Sequence, residues 1–414
     1  MVKIKGIAIN SLAFMLTLLP FSIESGGGNE PINFPLSFIN FSANRIDFST
    51  NNLLNNQFST YVENAVRGVE PLRILHIGDS HIQADIFTSE TRKLFAWWLS
   101  DSSVCRGYTF PYGIAETNNP ADYVVSGSKG WLSTRITRTT SPGNFGIAGM
   151  AVEAMQNGCY IDFKVKPKEG ERQNFDLVKV YFEGALANEN INVSNALLTE
   201  QGRGYAIFKP LNPVDSFRLT MNGDSVKSRM LFYGAELINS HSKFRYHAAG
   251  VNGASVSSYL LVENINEQVS AINPQVVVVS LGTNDAFSSA FNAITFASNL
   301  KLLIERISAA VPNALIILTT PSDHFLQKRF SNPMLEQARN EIYNVAYDTG
   351  CGVWDFYGVM GGESSMSYWA RFGLSAPDML HLNGKGYRLK GALLFMAMAS
   401  LTEYGFDKPI TITD

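Results

Sequence analysis

Cysteine is scarce in this chain: three occur in 414 residues, at Cys105, Cys159 and Cys351. So few thiols cannot build a disulfide scaffold, because at most one intramolecular bridge forms and one thiol is left over. A Cys105–Cys159 disulfide and a set of buried free thiols both stay open. None of the three has a Cys-x-x-Cys or Cys/His spacing, so no structural zinc site is expected, nor any other metal or cofactor. An excess of positive charge is missing too: 33 Lys and Arg stand against 36 Asp and Glu, for a formal net charge of −3. That excludes the basic field which gathers nucleic acid or acidic lipid head groups. Long apolar runs are absent except at the start, where Lys3 and Lys5 precede the stretch from Ile7 to Phe21. This reads as an export signal over residues 1–25, too short for a comfortable membrane span, with Ser22, Ser25 and Gly26 as weak cleavage candidates. Removed, it leaves no stable span; retained, it is an N-terminal anchor. Either way the body lies outside the cytoplasm, in the periplasm or cell envelope. There is no internal repeat, no low-complexity tract and no Gly-x-Ser-x-Gly elbow.

What is present is an ordinary globular composition, 45% hydrophobic and 17% charged, with 33 Gly and 16 Pro for turns. The length suits two or three domains. Residues 26–70 read as a surface extension rich in Asn, Ser, Gly and Phe, with a short helix near Phe58 to Val66. An α/β region starts at 71–106: the strand Arg73 to Ile77 ends at Gly78, and a helix follows from Ala84 to Leu99. Over 107–239 the texture becomes short alternating runs such as Tyr160 to Val165 and Phe217 to Met221, which predict an inserted all-β sandwich. From 240 to 414 strands and helices alternate again: helix Ser255 to Ala271, strand Gln275 to Leu281, helix Phe291 to Ala310, strand Ala314 to Thr319, helix Met334 to Thr349, strand Gly352 to Phe356 and helix Lys385 to Glu403. Such alternation argues a doubly wound parallel sheet covered on both faces.

Three separated segments carry polar residues that a plain turn does not require. They are Gly78-Asp79-Ser80-His81 after a buried strand, Gly282-Thr283-Asn284-Asp285 after a very apolar strand, and Asp378-Met379-Leu380-His381 before the last helix. In a doubly wound sheet all three converge at the carboxyl edge. A serine hydroxyl needs an imidazole to take its proton and a carboxylate to hold that imidazole in the right tautomer. Asp378 and His381 supply both from one loop, whereas His76 lies within a strand and His241, His247 and His324 lack a companion motif.

Together these segments resemble the SGNH (GDSL) hydrolase family, whose four blocks contribute Ser, Gly, Asn and His in that order. Here they stand as Gly78-Asp79-Ser80, Gly253 within Val251-Asn252-Gly253-Ala254-Ser255, Gly282-Thr283-Asn284-Asp285, and Asp378-x-x-His381. The resemblance implies Ser80 as nucleophile, Asp378 and His381 as its partners, and an oxyanion hole made by the N–H groups of Ser80 and Gly253 with the Asn284 amide. Glycine permits close backbone approach, which suits that role. Asp79, His81 and Asp285 are expected to support the site rather than hold a metal. The sequence Ile77 to Asp85 and the insert between the first two blocks resemble the bacterial peptidoglycan O-acetylesterases. That resemblance implies a serine esterase acting on an acetylated glycan, peptidoglycan or another polysaccharide. Polysaccharide O-acetyltransferase and xylan-type acetyl esterase activity stay open, because they use the same triad. Trp369, Tyr368 and Trp131 are aromatic faces that suit either sugar stacking or core packing. The insert is expected to form one wall of the cleft and to be removable without loss of activity on a small aryl ester.

Overall fold

The computed structural model describes residues 22–24, 31–32, 36–48, 53–166, 173–184, 190–223, 229–403 and 411–413. The apolar run read as an export signal lies outside the described residues. Before the insert come β1 (Ile46–Asp47), α1 (Leu53–Val66), β2 (Leu72–Gly78), α2 (Ser80–Gln83) and α3 (Ile86–Trp98). After it come β3 (Phe244–Gly250), α4 (Val256–Tyr259), α5 (Ile265–Ile272), β4 (Val276–Ser280), α6 (Thr283–Phe287) and α7 (Ala293–Ala310). The chain closes with β5 (Leu315–Thr319), α8 (Met334–Thr349), β6 (Gly352–Trp354), α9 (Phe356–Met360), α10 (Met366–Arg371) and α11 (Gly384–Ala399).

The sheet runs β3-β2-β4-β5-β6-β1. All neighbours pair in parallel except β1, which lies antiparallel on β6. The pleat sends alternate residues to opposite faces. Leu72, Ile74, Val276, Val278, Leu315 and Ile317 pack with α1, α3 and α11, while Leu75, Ile77, Val277, Val279, Ile316 and Leu318 pack with α5, α7 and α8. Strands this apolar on both faces require helices on both, which is why they run in parallel.

Two sequence expectations change. The helix expected from Ser255 to Ala271 is broken into α4 and α5, because the inserted segment claims its backbone: Gly143 N–H donates to Leu261 O at 2.9 Å and Glu263 N–H to Gly143 O at 3.1 Å. The N-terminal extension is not merely a surface strap. It supplies the edge strand β1, and the Trp354 indole donates to Asn44 Oδ1 at 2.9 Å.

Between α3 and β3 the chain builds two antiparallel sheets. One carries Leu177–Glu183 and Leu231–Ile238 at its centre, the other Cys159–Val165 and Ser216–Met221. They face each other across a shared core, with the Phe163 and Phe232 ring centroids 6.1 Å apart. That core is continuous with one face of the parallel sheet. At the root of the insert Arg92 lies 2.9 Å from Asp85 and 3.0 Å from Asp122, and Arg106 lies 3.3 Å from Asp85 and 2.9 Å from Asp122, all largely buried. Cutting out the insert removes Asp122 and opens this core, and a buried ion cluster stripped of one partner costs on the order of 3–5 kcal/mol. The expectation that removing the insert leaves activity on a small aryl ester intact therefore meets a packing cost at this root. All three cysteines are buried free thiols, and burial pushes the Cys105 thiol up to about 12. Among the described residues no helix is long and apolar enough to cross a membrane.

Candidate active site

The chain leaves β2, arrives at β3 on one side of it, then crosses to β4 on the other. Such a reversal opens a crevice at the carboxyl ends of the strands. Gly78 lets α2 begin at once: a Cβ there would lie 2.4 Å from Ile82 Cγ1 and 2.7 Å from Ser280 O. Asp79 then caps α2, its Oδ1 accepting the His81 N–H at 3.0 Å, and Ser80 stands as the first helical residue. Beneath it His76 is wholly buried and satisfied on both sides, 2.6 Å from Tyr246 Oη and 2.6 Å from Ser280 Oγ. Burial holds its pKa near 3, so it stays neutral and serves the core.

Ser80 Oγ lies 3.0 Å from His381 Nε2, and His381 Nδ1 lies 2.7 Å from Asp378 Oδ2. These residues are 301 and 3 positions apart in sequence, respectively. Met379 adopts φ +58°, a left-handed conformation that curls the short loop and lets Asp378 face His381. The other oxygen of Asp378 accepts the His381 N–H at 2.9 Å and the Leu380 N–H at 3.0 Å. Partial burial alone would raise this carboxyl; the His381 and Leu380 donors outweigh it and hold the group below its ordinary value. An ionised Asp378 can fix the imidazole tautomer that leaves Nε2 free to accept the Ser80 proton.

Gly253 has φ +81°, and the nearest atom to a Cβ built there is Thr137 Cγ2 at 3.9 Å, so its backbone faces open space. Among the described residues no acceptor takes the N–H of Ser80 or of Gly253. The Asn284 amide donates to Ala254 O at 2.8 Å, and its nitrogen lies 3.3 Å from Asp79 Oδ2. One proton is thus committed to the loop that carries Gly253, and the second, on the longer contact, is held by the Asp79 carboxylate. Asp285 accepts the Val256 N–H at 3.1 Å and is lifted to about 6 by burial. Asp79 is also raised by burial, against the His81 N–H and the Lys390 ammonium, while burial lowers buried Lys390. The His81 ring is buried, with Nδ1 2.7 Å from Tyr387 Oη and its centroid 5.1 Å from that of His381.

Trp369 is fully buried, packs edge-on against Phe356 and donates to Met360 O at 3.2 Å, so it fills the core and offers no face to a sugar. Tyr368 is exposed, and Trp131, half-buried in the insert, donates to Tyr160 O at 3.2 Å. Sequence reasoning passed over Gln83, Asn252, Thr117 and Asn118, which form one hydrogen-bonded group beside Gly253. The available signal was a single amide between Ile82 and Ala84, three residues after the nucleophile.

Residues 223–389 match the model of the GDSL-like lipase/acylhydrolase family. This span holds Gly253, Asn284, Asp378 and His381 and leaves out the Ser80 segment, which the insert separates from it. Comparison with curated proteins finds no match. Among solved structures the chain is similar to one described as a peptidoglycan O-acetylesterase in action, at 20% identity and a TM-score of 0.72, over 86% of this chain and 97% of that one. It is also similar to the lipase/acylhydrolase from Enterococcus faecalis, at 24% identity and a TM-score of 0.31, over 38% of this chain and 76% of that one. A third, the acetylxylan esterase from Geobacillus stearothermophilus, has 20% identity and a TM-score of 0.30, over 40% of this chain and 74% of that one. Residues 223–389 thus carry a GDSL-like lipase/acylhydrolase domain, the hallmark of carboxylic ester hydrolases, within a fold shared along nearly the whole chain with a solved structure of that kind.

Proposed function

We propose that the protein is a serine esterase that removes O-acetyl groups from a carbohydrate, with O-acetylated peptidoglycan as its substrate. The observation that carries this reading is the Ser80–His381–Asp378 chain, 3.0 Å and 2.7 Å long at its two links, together with N–H groups of Ser80 and Gly253 that no acceptor takes among the described residues. In this reading His381 Nε2 takes the Ser80 proton as Oγ attacks the acetyl carbonyl carbon. The oxyanion is met by the two N–H groups, donors already oriented before charge develops, and by the Asn284 amide. Collapse breaks the ester bond, and the sugar oxygen leaves with the proton from His381. Water, deprotonated by the same imidazole, then clears the acetyl-serine as acetate.

Likeness to a peptidoglycan O-acetylesterase over the whole fold, insert included, supports the glycan class of substrate. Hydrolysis rather than transfer to a second sugar is favoured by access of water: the His381 side chain is 33% exposed and that of Asp378 46%. A substrate in the cell wall requires export, which the basic and then apolar start of the sequence supports. The test is release of acetate from purified O-acetylated peptidoglycan, beside acetylated xylan and an aryl acetate, with sugar acceptors added in parallel. Free acetate in preference from peptidoglycan is expected. Release from xylan alone refutes the substrate, and acetyl groups recovered on the acceptor refute hydrolysis.

A further inference from the structure

We infer that Gln83 is a positioning residue that sets the Gly253 N–H for catalysis and ties it to the inserted module; the inference rests on the esterase reading above. Gln83 is the last residue of α2, three positions after Ser80, and only 1% exposed. Its Oε1 accepts the Asn252 N–H at 2.7 Å, one residue before Gly253. Its Nε2 lies 2.9 Å from Asn118 O, 3.0 Å from Asn118 Oδ1 and 3.1 Å from Thr117 Oγ1, all in the insert. The Asn252 side chain closes the ring, with Nδ2 2.6 Å from Asn118 Oδ1. The nucleophile helix, the Gly253 loop and the insert thus meet at one side chain.

An amide suits this place, since it accepts on one side and donates twice on the other. Gly253 itself has no side chain to anchor it and sits at φ +81°, where glycine is freest. Its orientation has to be imposed by its neighbours. On the far side the loop is held by the Asn284 amide on Ala254 O at 2.8 Å and by Asp285 on the Val256 N–H at 3.1 Å. Gln83 is the matching clamp on the near side. An oxyanion donor is worth most when it needs no reorganisation during the reaction, so releasing one clamp should cost turnover more than binding. The insert therefore acts on the chemical step through Thr117 and Asn118, in addition to any contact it makes with a glycan.

The experiment uses the full chain and a small aryl acetate, which has no sugar for the insert to hold. Gln83→Leu should lower kcat by roughly 10- to 100-fold with KM within about threefold, less than loss of a donor outright. Gln83→Glu keeps the acceptor for the Asn252 N–H and should recover part of that loss. Combined with Asn284→Ala, Gln83→Leu should cost less than the product of the single effects, because both act on one oxyanion hole. A folded Gln83→Leu protein with kcat within twofold of the parent, or one changed only in KM, overturns the inference. Should Gln83→Leu fail to fold, the pair Thr117→Val and Asn118→Ala decides in its place: a kcat loss at constant KM supports it and no change overturns it. Ser80→Ala run alongside separates the two levels, since turnover surviving in that variant removes the esterase reading itself.

Discussion

Replacing Asn284 by alanine removes one group with two separable jobs. Its amide donates to Ala254 O at 2.8 Å and to Asp79 Oδ2 at 3.3 Å, and the proton directed at Asp79 is the one proposed to turn to the oxyanion. The first job is structural. The two ground-state hydrogen bonds contribute about 1 kcal/mol each, which in a chain of this size lowers Tm by about 2–4 °C. The second appears only in the transition state, where one preorganised donor is worth about 3–4 kcal/mol, or 10²- to 10³-fold in kcat. Asn284→Ala should therefore fold, melt slightly earlier, and hydrolyse an aryl acetate about 10²- to 10³-fold more slowly at a nearly unchanged KM. Asn284→Asp sharpens the test. It keeps the shape but sets a second carboxylate near Asp79, whose Oδ2 is 3.3 Å from the present amide nitrogen. Two buried carboxylates at that range repel, so Asn284→Asp should be no more active than the alanine variant and less stable at pH 8 than at pH 5. Steady-state kinetics with a thermal melt at each pH decides the matter. A loss confined to KM makes Asn284 a ground-state contact, and a kcat loss no larger than about threefold refutes the donor role.

Ser80→Ala and His381→Ala should each remove at least about 10⁴-fold of turnover while leaving the circular dichroism spectrum unchanged, and neither effect should add to the other in the double variant. Asp378→Asn should cost roughly 10³- to 10⁴-fold, because the amide can donate to Nδ1 and select the wrong tautomer; turnover within tenfold of the parent would remove Asp378 from the triad. Asp285 is lifted by burial from 3.8 to about 6, so the folded state holds its proton more tightly than the unfolded chain does. The stability traceable to this group then falls as pH rises from about 4 to about 6, by up to about 3 kcal/mol. Asp285→Asn keeps an acceptor for the Val256 N–H without that cost, and its Tm should exceed the parent's increasingly from pH 4 to pH 7; a pH-independent difference refutes the assignment.

Much of the architecture follows from local pattern. Runs such as Val276 to Val279 are too apolar for a sheet with a wet face, and their alternation with amphipathic helices leaves little besides a parallel sheet covered on both sides. The polar residues at the ends of those strands, Asp79-Ser80 and Asn284-Asp285, are legible for the same reason: nothing in a buried strand calls for them. Asp378 and His381 stand three positions apart, so their pairing is already local. What sequence could not decide are the meetings of distant segments. The break between α4 and α5 depends on Gly143 reaching Leu261 and Glu263, more than a hundred residues away, and no local propensity encodes it. The tie of the insert to the catalytic core lies in the Asp85, Arg92, Arg106 and Asp122 cluster and in a continuous apolar core, whereas its sequence reads as a separate module. Gln83 looks like any polar residue of a short helix until folding sets Asn252 and Asn118 on either side of its amide. Periodicity and turn chemistry are properties of neighbours along the chain, but a hydrogen bond between segments is a property of where the chain returns, and only the tertiary structure determines that.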